Sequence, residues 1–141
     1  MEWMSAAAVF VGGGLGAVLR YYLERFLAPR RTPDALISAV FVINVLGSLA
    51  LGIVGAAVNV LGGQDAIAYA GLSLGLLGGF TTFSTAMVEA VQALLAARYT
   101  RFVMLWLVQP TLSLIVLITG YTAAAAVFLA GFSARGYAYS R

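Results

Sequence analysis

The sequence predicts an all-α membrane protein with four transmembrane helices, of which the third is broken inside the membrane. Composition is the first reason, because 62% of the 141 residues are hydrophobic and only 9% are charged, whereas soluble domains carry about a quarter charged residues. The second reason is that four apolar stretches reach the ~20 residues needed to cross a bilayer. The third is a polar block, GLLGGFTTFST, in the middle of the third stretch.

The apolar stretches are separated by short connections, which leave little room for a soluble domain. The predicted spans cover residues 5–27, 36–61, 66–97 and 102–132. We therefore expect a single four-helix transmembrane domain over residues 1–141. Because the first stretch lacks the cationic start and the cleavage site of a signal peptide, we expect it to be retained as a helix.

Charged residues are scarce, and every basic residue is an arginine. With four spans, both termini and the second connection lie on one side of the membrane. That side carries Arg135 and Arg141, and the other side carries Arg25, Arg30, Arg31, Arg98 and Arg101. The positive-inside rule therefore favours termini outside the cell, by a modest margin. The net charge of +3 is too small and too scattered for a nucleic-acid partner.

The third span carries the strongest functional signal. In hydrocarbon, every backbone amide and carbonyl must find a partner inside the protein. A diglycine followed by several hydroxyls therefore predicts a broken helix; the hydroxyl residues are Thr81, Thr82, Ser84 and Thr85. We expect the interruption near Gly78 to Thr81, with freed carbonyls that line a polar cavity or bind an ion. Such a break at mid-depth indicates transport or conduction.

Glycine is frequent in the spans, with 16 glycines in the chain. Small residues let membrane helices approach closely, either within one chain or between two copies. Because four helices enclose little space, we expect any pathway to lie at an interface between subunits.

A few polar residues interrupt the other spans. Arg20 either snorkels to the interface, pairs with Glu24 one turn later, or places a positive charge in an aqueous vestibule that attracts anions. Asn44 is an amide within the second span; it could coordinate an anion or form a hydrogen bond between helices, and the second role is the more common one. Ser113 and Gln109 lie one turn apart on the fourth span and could face the same polar line.

The remaining candidates lie in the third span. Phe83 follows the break among hydroxyls, so the electropositive edge of its ring could meet an anion. Glu89 could be a proton site, although an acid near the membrane edge is the simpler interpretation. The chain has no histidine or cysteine, and its residues form no catalytic set, so we expect no enzymatic activity.

Three sequence blocks carry a resemblance to a known family. They are GGGLGAVLRYY in the first span, VINVLGSLALG in the second and GLLGGFTTFST in the third. Together they resemble the Fluc (CrcB) fluoride channels over nearly the whole chain. Ser113 and Gly120 in the fourth span have a spacing similar to that of the family.

The resemblance implies an antiparallel dual-topology dimer in the plasma membrane, surrounded by lipid, with two fluoride pores along its interface. It implies a structural sodium ion, not transported, bound by the backbone carbonyls of Gly78 and Thr81. Arg20 would lie in the vestibule. The residues that the resemblance places along the fluoride path are Asn44, Thr82, Phe83, Ser84, Thr85 and Ser113.

Two positions depart from the family pattern. Ala86 stands where the family usually has a second phenylalanine, and Leu105 stands where a tyrosine is expected. A dimer of identical chains would lose a ring at each position. Some family members assemble as heterodimers of paralogues, and the bias of the arginines towards one side is consistent with this. Self-pairing and pairing with a paralogue therefore both remain open.

Two rival functions deserve comparison. A proton-coupled small multidrug exporter needs a carboxylate deep in a span, whereas Glu24 and Glu89 lie towards helix ends. A non-conducting structural membrane subunit is the second rival, and Ala86 and Leu105 are the residues that favour it.

Overall fold

The computed structural model describes residues 2–27, 35–61 and 66–139, and these are helical except in short connections. The first two spans are α1 (Glu2–Leu27) and α2 (Ala39–Leu61). The third consists of α3 (Ala66–Tyr69), a π-helical segment π1 (Ala70–Leu77), α4 (Gly78–Phe80) and α5 (Phe83–Leu95). The fourth consists of α6 (Tyr99–Val103), a π-helical segment π2 (Met104–Val108) and α7 (Gln109–Tyr139). Four helices long and apolar enough to cross a membrane are present, as predicted.

The span boundaries differ from the predicted ones by a few residues, for local reasons. The second span begins at Ala39 rather than 36, because the Ser38 hydroxyl oxygen accepts a hydrogen bond from the Phe41 N–H, at 3.1 Å, and caps the helix. The connection between the third and fourth spans lies at residues 96–98 rather than 98–101. It turns tightly because Ala97 adopts a positive φ of 55°.

Glycines bring α1 into direct backbone contact with the first half of the third span. A Cβ added at Gly12 would meet the Gly71 carbonyl oxygen, and one at Gly79 would meet the Gly13 carbonyl oxygen. No larger residue fits at either position without separating the helices. Much of the glycine content therefore serves packing within the subunit.

α2 packs mainly against α7. A Cβ added at Gly52 would meet the Leu117 carbonyl oxygen, so these two helices also approach closely. A core cluster of Phe41, Ala90 and Leu105 joins α2 to α5 and π2. The second span consequently contacts every other span and positions its polar residues at the centre of the subunit.

The two π-helical segments were not predicted. In π1 the Gly78 N–H donates to the Ser73 carbonyl five residues earlier, and in π2 the Gln109 N–H donates to the Met104 carbonyl. Pro110 follows π2 and has no N–H to donate, which disturbs regular helical hydrogen bonding at this point. Segments of this kind are frequent at functional sites, and both lie next to the polar residues described below.

Replacing Gly16 by alanine should destabilise the subunit. The new Cβ would meet the Leu76 carbonyl oxygen and lie 2.8 Å from the Phe80 nitrogen, and neither backbone atom can move without shifting a helix. We expect a loss of about 1–3 kcal/mol in the free energy of unfolding, measured by denaturation in detergent. Gly14→Ala is the matched control, because nothing lies within 4 Å of its added Cβ. Equal stabilities for the two variants would contradict the close packing of α1.

Candidate functional site

The third span leaves helical geometry at two consecutive threonines. Thr81 has φ −84° and ψ 157°, and Thr82 has φ −151° and ψ 116°, so both are extended. The Thr81 N–H still donates to the Leu77 carbonyl at 3.0 Å. The interruption therefore lies at Thr81 and Thr82, at the C-terminal edge of the predicted range from Gly78 to Thr81. The diglycine itself is helical, and Gly79 packs closely against Gly13 of α1.

The buried side chain of Asn44 replaces the missing helical partners at the break. Its Nδ2 donates to the Thr82 carbonyl at 2.8 Å, and its Oδ1 accepts from the Thr82 N–H, also at 2.8 Å. Both residues are buried. One amide thus bonds to both backbone groups of Thr82, whose N–H does not continue the preceding helical segment. Of the two predicted roles of Asn44, the structure shows the hydrogen bond between helices.

The hydroxyl of Thr82 starts the second half of the span. Thr82 Oγ1 accepts a hydrogen bond from the Thr85 N–H at 3.3 Å and so caps α5. It also lies 3.2 Å from Ser84 Oγ and 3.0 Å from Thr85 Oγ1. The hydroxyls of Thr82, Ser84 and Thr85 therefore form one local network, which fixes the direction in which α5 leaves the break.

A cavity of about 410 Å³ lies beside the break, between α2, the third span and α7. Its described lining consists of Asn44, Gly47, Ser48, Leu51, Ser73, Leu74, Leu77, Gly78, Thr81, Thr82, Phe83, Gln109, Pro110 and Ser113. None of these side chains carries a formal charge. Most of the predicted site residues are among them, whereas Ser84, Thr85 and Arg20 are not.

Two buried polar atoms of α7 lack a protein partner beside this cavity. Gln109 Oε1 and Ser113 Oγ accept or donate no hydrogen bond among the described residues. Gln109 is only 3% exposed, so its amide faces the cavity rather than bulk solvent. The sequence analysis noted that Gln109 lies one turn from Ser113 but did not include Gln109 in the site. This helical spacing is the signal that could have placed Gln109 beside Ser113.

The aromatic position next to the break is exposed, while the two departures from the family pattern are buried. Phe83 is 66% exposed at the edge of the cavity. Ala86 is 0% exposed, and Leu105 is completely enclosed in the core cluster with Phe41 and Ala90. The two positions at which aromatic rings were expected are therefore occupied by buried side chains that pack inside the subunit.

The charged residues lie away from the cavity. Arg20 is partly exposed on α1, and among the described residues neither Glu24 nor another acid forms an ion pair with it. Glu89 instead forms an ion pair with Arg101, with Oε2 3.8 Å from Nη2, and both side chains are partly buried. The acid of the third span is therefore held at the α5–α6 end of the subunit.

The described residues contain no group of three or more histidine, cysteine, aspartate or glutamate side chains that could hold a metal. Backbone oxygens at the break are a different kind of ligand. The Thr82 N–H donates to Asn44 instead of to the Gly78 carbonyl, and the Thr85 N–H donates to Thr82 Oγ1 instead of to the Thr81 carbonyl. Both carbonyls thus lose the donor that a continuous helix would supply.

Comparison with known proteins gives a consistent result. The family model described as CrcB-like protein, Camphor Resistance (CrcB), matches residues 7–121. A fluoride-specific ion channel FluC of Novosphingobium aromaticivorans is 40% identical over 97 residues, covering 68% of this chain and 75% of the relative. The fluoride-specific ion channel FluC 2 of Cutibacterium acnes is 43% identical over 91 residues, covering 64% and 72%. FluC 1 of Corynebacterium jeikeium is 44% identical over 92 residues, covering 58% and 65%.

Removing the amide of Asn44 should loosen the break. In Asn44→Ala the Thr82 N–H loses its acceptor in a buried setting, which costs about 1–3 kcal/mol, and the Thr82 C=O loses the Asn44 donor. We expect faster hydrogen exchange in the peptide that spans residues 78–86, measured by mass spectrometry, together with a lower melting temperature. Asn59→Ala is the control on the same helix, because Asn59 is exposed and its hydrogen bonds within the described residues go to Gly55 and Tyr121. Unchanged exchange at the break in Asn44→Ala would show that the amide does not hold it.

Proposed function

The chain belongs to the CrcB family, and from this membership we propose that it is a fluoride-selective ion channel through which cytoplasmic fluoride leaves the cell passively. It is a multi-pass protein of the plasma membrane. The observation that carries the proposal is the uncharged, mostly apolar cavity beside the break in the third span, into which a few amides and hydroxyls are set. The relatives compared above are named fluoride-specific ion channels.

The chemistry of the cavity suits a small, strongly hydrated anion. A selective pore must replace the water around the ion with close hydrogen-bond donors in a narrow space. Asn44 uses one N–H and its oxygen at Thr82, which leaves its second N–H for an anion. The Ser113 hydroxyl adds a donor that has no partner among the described residues, whereas the unpartnered atom of Gln109 is the acceptor Oε1. Because the described lining contains no cation, binding stays weak enough for release.

The proposal includes an antiparallel dual-topology dimer with two pores along its interface. Phe83, at the edge of the cavity, is largely exposed on the isolated subunit. This exposure supports a position for Phe83 at the interface of the dimer. A second subunit would cover the ring and close the open side of the cavity. The partner is either a second copy of this chain or a paralogue; the burial of Ala86 and Leu105 fits both, since neither side chain is needed at the surface.

A structural sodium ion would be held by the carbonyls of Gly78 and Thr81. Both carbonyls are freed from helical hydrogen bonding, as described above, and a hard cation prefers neutral or charged oxygen ligands. Two oxygens from one subunit are too few for such an ion. The same pair from an inverted second subunit would complete the shell, so that the bound cation joins the two breaks and favours an anion nearby.

The rival functions have less support. A proton-coupled multidrug exporter needs a carboxylate facing its substrate, whereas the described lining of the cavity contains none and Glu89 pairs with Arg101. A non-conducting structural subunit does not require orphaned polar atoms beside a cavity. Fluoride efflux from liposomes that contain this chain alone tests the proposal directly. Rapid efflux of fluoride, with chloride retained, is expected; no efflux with or without a co-expressed paralogue would overturn it.

Shortening the ring of Phe83 should reduce fluoride flux. If the ring edge contributes about 1.4 kcal/mol to the passage of the ion, Phe83→Leu lowers the efflux rate roughly tenfold. The measurement is efflux from fluoride-loaded liposomes in the presence of a potassium ionophore, followed with a fluoride electrode. Phe10→Leu is the matched control, because this phenylalanine is also exposed but lies on α1 away from the cavity. An equal effect of both substitutions would remove Phe83 from the pore.

Sodium should stabilise the assembled protein. At a concentration of about 100 times its Kd, a ligand that binds only the folded state adds about 2.7 kcal/mol of stability. We therefore expect a lower melting temperature and a smaller dimer fraction when sodium is replaced by N-methylglucamine at the same ionic strength. Both readouts are independent of conduction. Identical melting and dimer fraction in the two buffers would exclude a structural sodium ion while leaving the channel proposal intact.

A further inference from the structure

The turn between α5 and α6 carries a second polar site, far along the chain from the break. Arg98 and Arg101 both line two neighbouring cavities. One cavity, of about 320 Å³, has a described lining of Glu89, Gln92, Ala93, Ala96, Arg98 and Arg101. The other, of about 410 Å³, is lined by Leu36, Ala97, Arg98, Tyr99, Thr100 and Arg101. Two guanidinium groups are thus placed between two openings on one surface.

The turn holds these arginines in a defined backbone arrangement. The Arg98 N–H donates to the Ala93 carbonyl at 2.8 Å, and the Ala97 N–H donates to the Leu94 carbonyl at 3.0 Å. On the next turn, Arg101 is fixed by its ion pair with Glu89. The backbone at Arg98 and the side chain of Arg101 are therefore held by the fold before a ligand arrives.

The chemistry of the site suits an oxyanion. Its described lining carries the two arginines together with the carboxylate of Glu89. A phosphodiester carries a single negative charge, and arginine, with five N–H groups, recognises phosphate oxygens through paired donors.

The site also lies at the end of two spanning helices and next to an apolar surface. The third candidate span ends at Leu95 and the fourth begins at Tyr99, so the turn connects the two spans on one side of the membrane. Leu95 is 82% exposed and Tyr99 is 65% exposed. An exposed aliphatic side chain and an aromatic ring beside two cations suit an acyl chain and a glycerol backbone below a phosphate.

We propose that the turn at residues 96–101 binds the phosphodiester headgroup of an anionic glycerophospholipid. Basic pockets between membrane helices are the recurrent form of such sites. The headgroup would accept hydrogen bonds from Arg98 and Arg101, and the upper part of an acyl chain would lie on Leu95. This inference is independent of fluoride conduction, because none of these residues lines the cavity beside the break.

Native mass spectrometry of the purified full-length protein in detergent tests the proposal, with phosphatidylglycerol and phosphatidylcholine added at equal concentration. We expect phosphatidylglycerol adducts to dominate in the wild type. Arg98→Gln should weaken phosphatidylglycerol binding roughly fivefold, which corresponds to the ~1 kcal/mol expected of one arginine near an anionic surface. Arg25→Gln is the matched control, since Arg25 is exposed on the same predicted side but interacts with Tyr21.

Several outcomes would overturn the assignment. Equal binding of the two lipids, or equal phosphatidylglycerol binding in Arg98→Gln and Arg25→Gln, would show that the arginines do not form a lipid site. Displacement of phosphatidylglycerol by millimolar inorganic phosphate would identify a site for soluble phosphate instead. Melting temperatures measured without lipid establish that both variants are folded, which is expected because Arg98 and Arg25 are exposed.

Discussion

The paired hydrogen bonds between Asn44 and the backbone of Thr82 are the interaction on which the centre of the subunit depends. In hydrocarbon, a break in a helix exposes amides and carbonyls whose unsatisfied burial costs several kcal/mol each. One side-chain amide meets both requirements at 2.8 Å. Because the Thr82 N–H is bound in this way, the Gly78 carbonyl is released from helical hydrogen bonding. The same contact therefore permits the break and frees an oxygen for other uses.

Close packing of glycines determines where that break can occur. Gly12, Gly16 and Gly79 bring α1 against the backbone of the third span, so the helix up to Phe80 is supported along its length. After Phe80, the Thr82 N–H bonds to Asn44 and so does not continue the first helical segment. The Thr82 hydroxyl then caps α5, where the next segment begins. The irregular backbone is therefore confined to two residues, between the helix that ends at Phe80 and the capped helix α5. Because so few residues leave helical geometry, few backbone hydrogen bonds are lost at the interruption.

Hydropathy was sufficient to predict four spans, and the diglycine with its following hydroxyls was sufficient to predict that the third is broken. The sequence placed the break near Gly78 to Thr81, but it could not show that the diglycine stays helical and that Gly79 contacts Gly13, because both depend on the tertiary structure. The partner of Asn44 lies 38 residues away, and no local pattern specifies it. Likewise, the sequence showed that Ala86 and Leu105 stand where aromatic residues were expected. It could not show that both are buried, because their burial depends on packing between α2, α5 and π2.

The distribution of charge explains how one small subunit could treat anions and cations differently. The described charged side chains lie towards the helix ends, where Glu89 and Arg101 neutralise each other, while the cavity at the break has an uncharged lining. A fixed cation there would bind an anion tightly and slow its release. Donors from amides and hydroxyls attract an anion more weakly, and the carbonyl oxygens of the proposed sodium site would attract a cation at the same break. Both properties follow from the partial charges of a backbone that has left its helix.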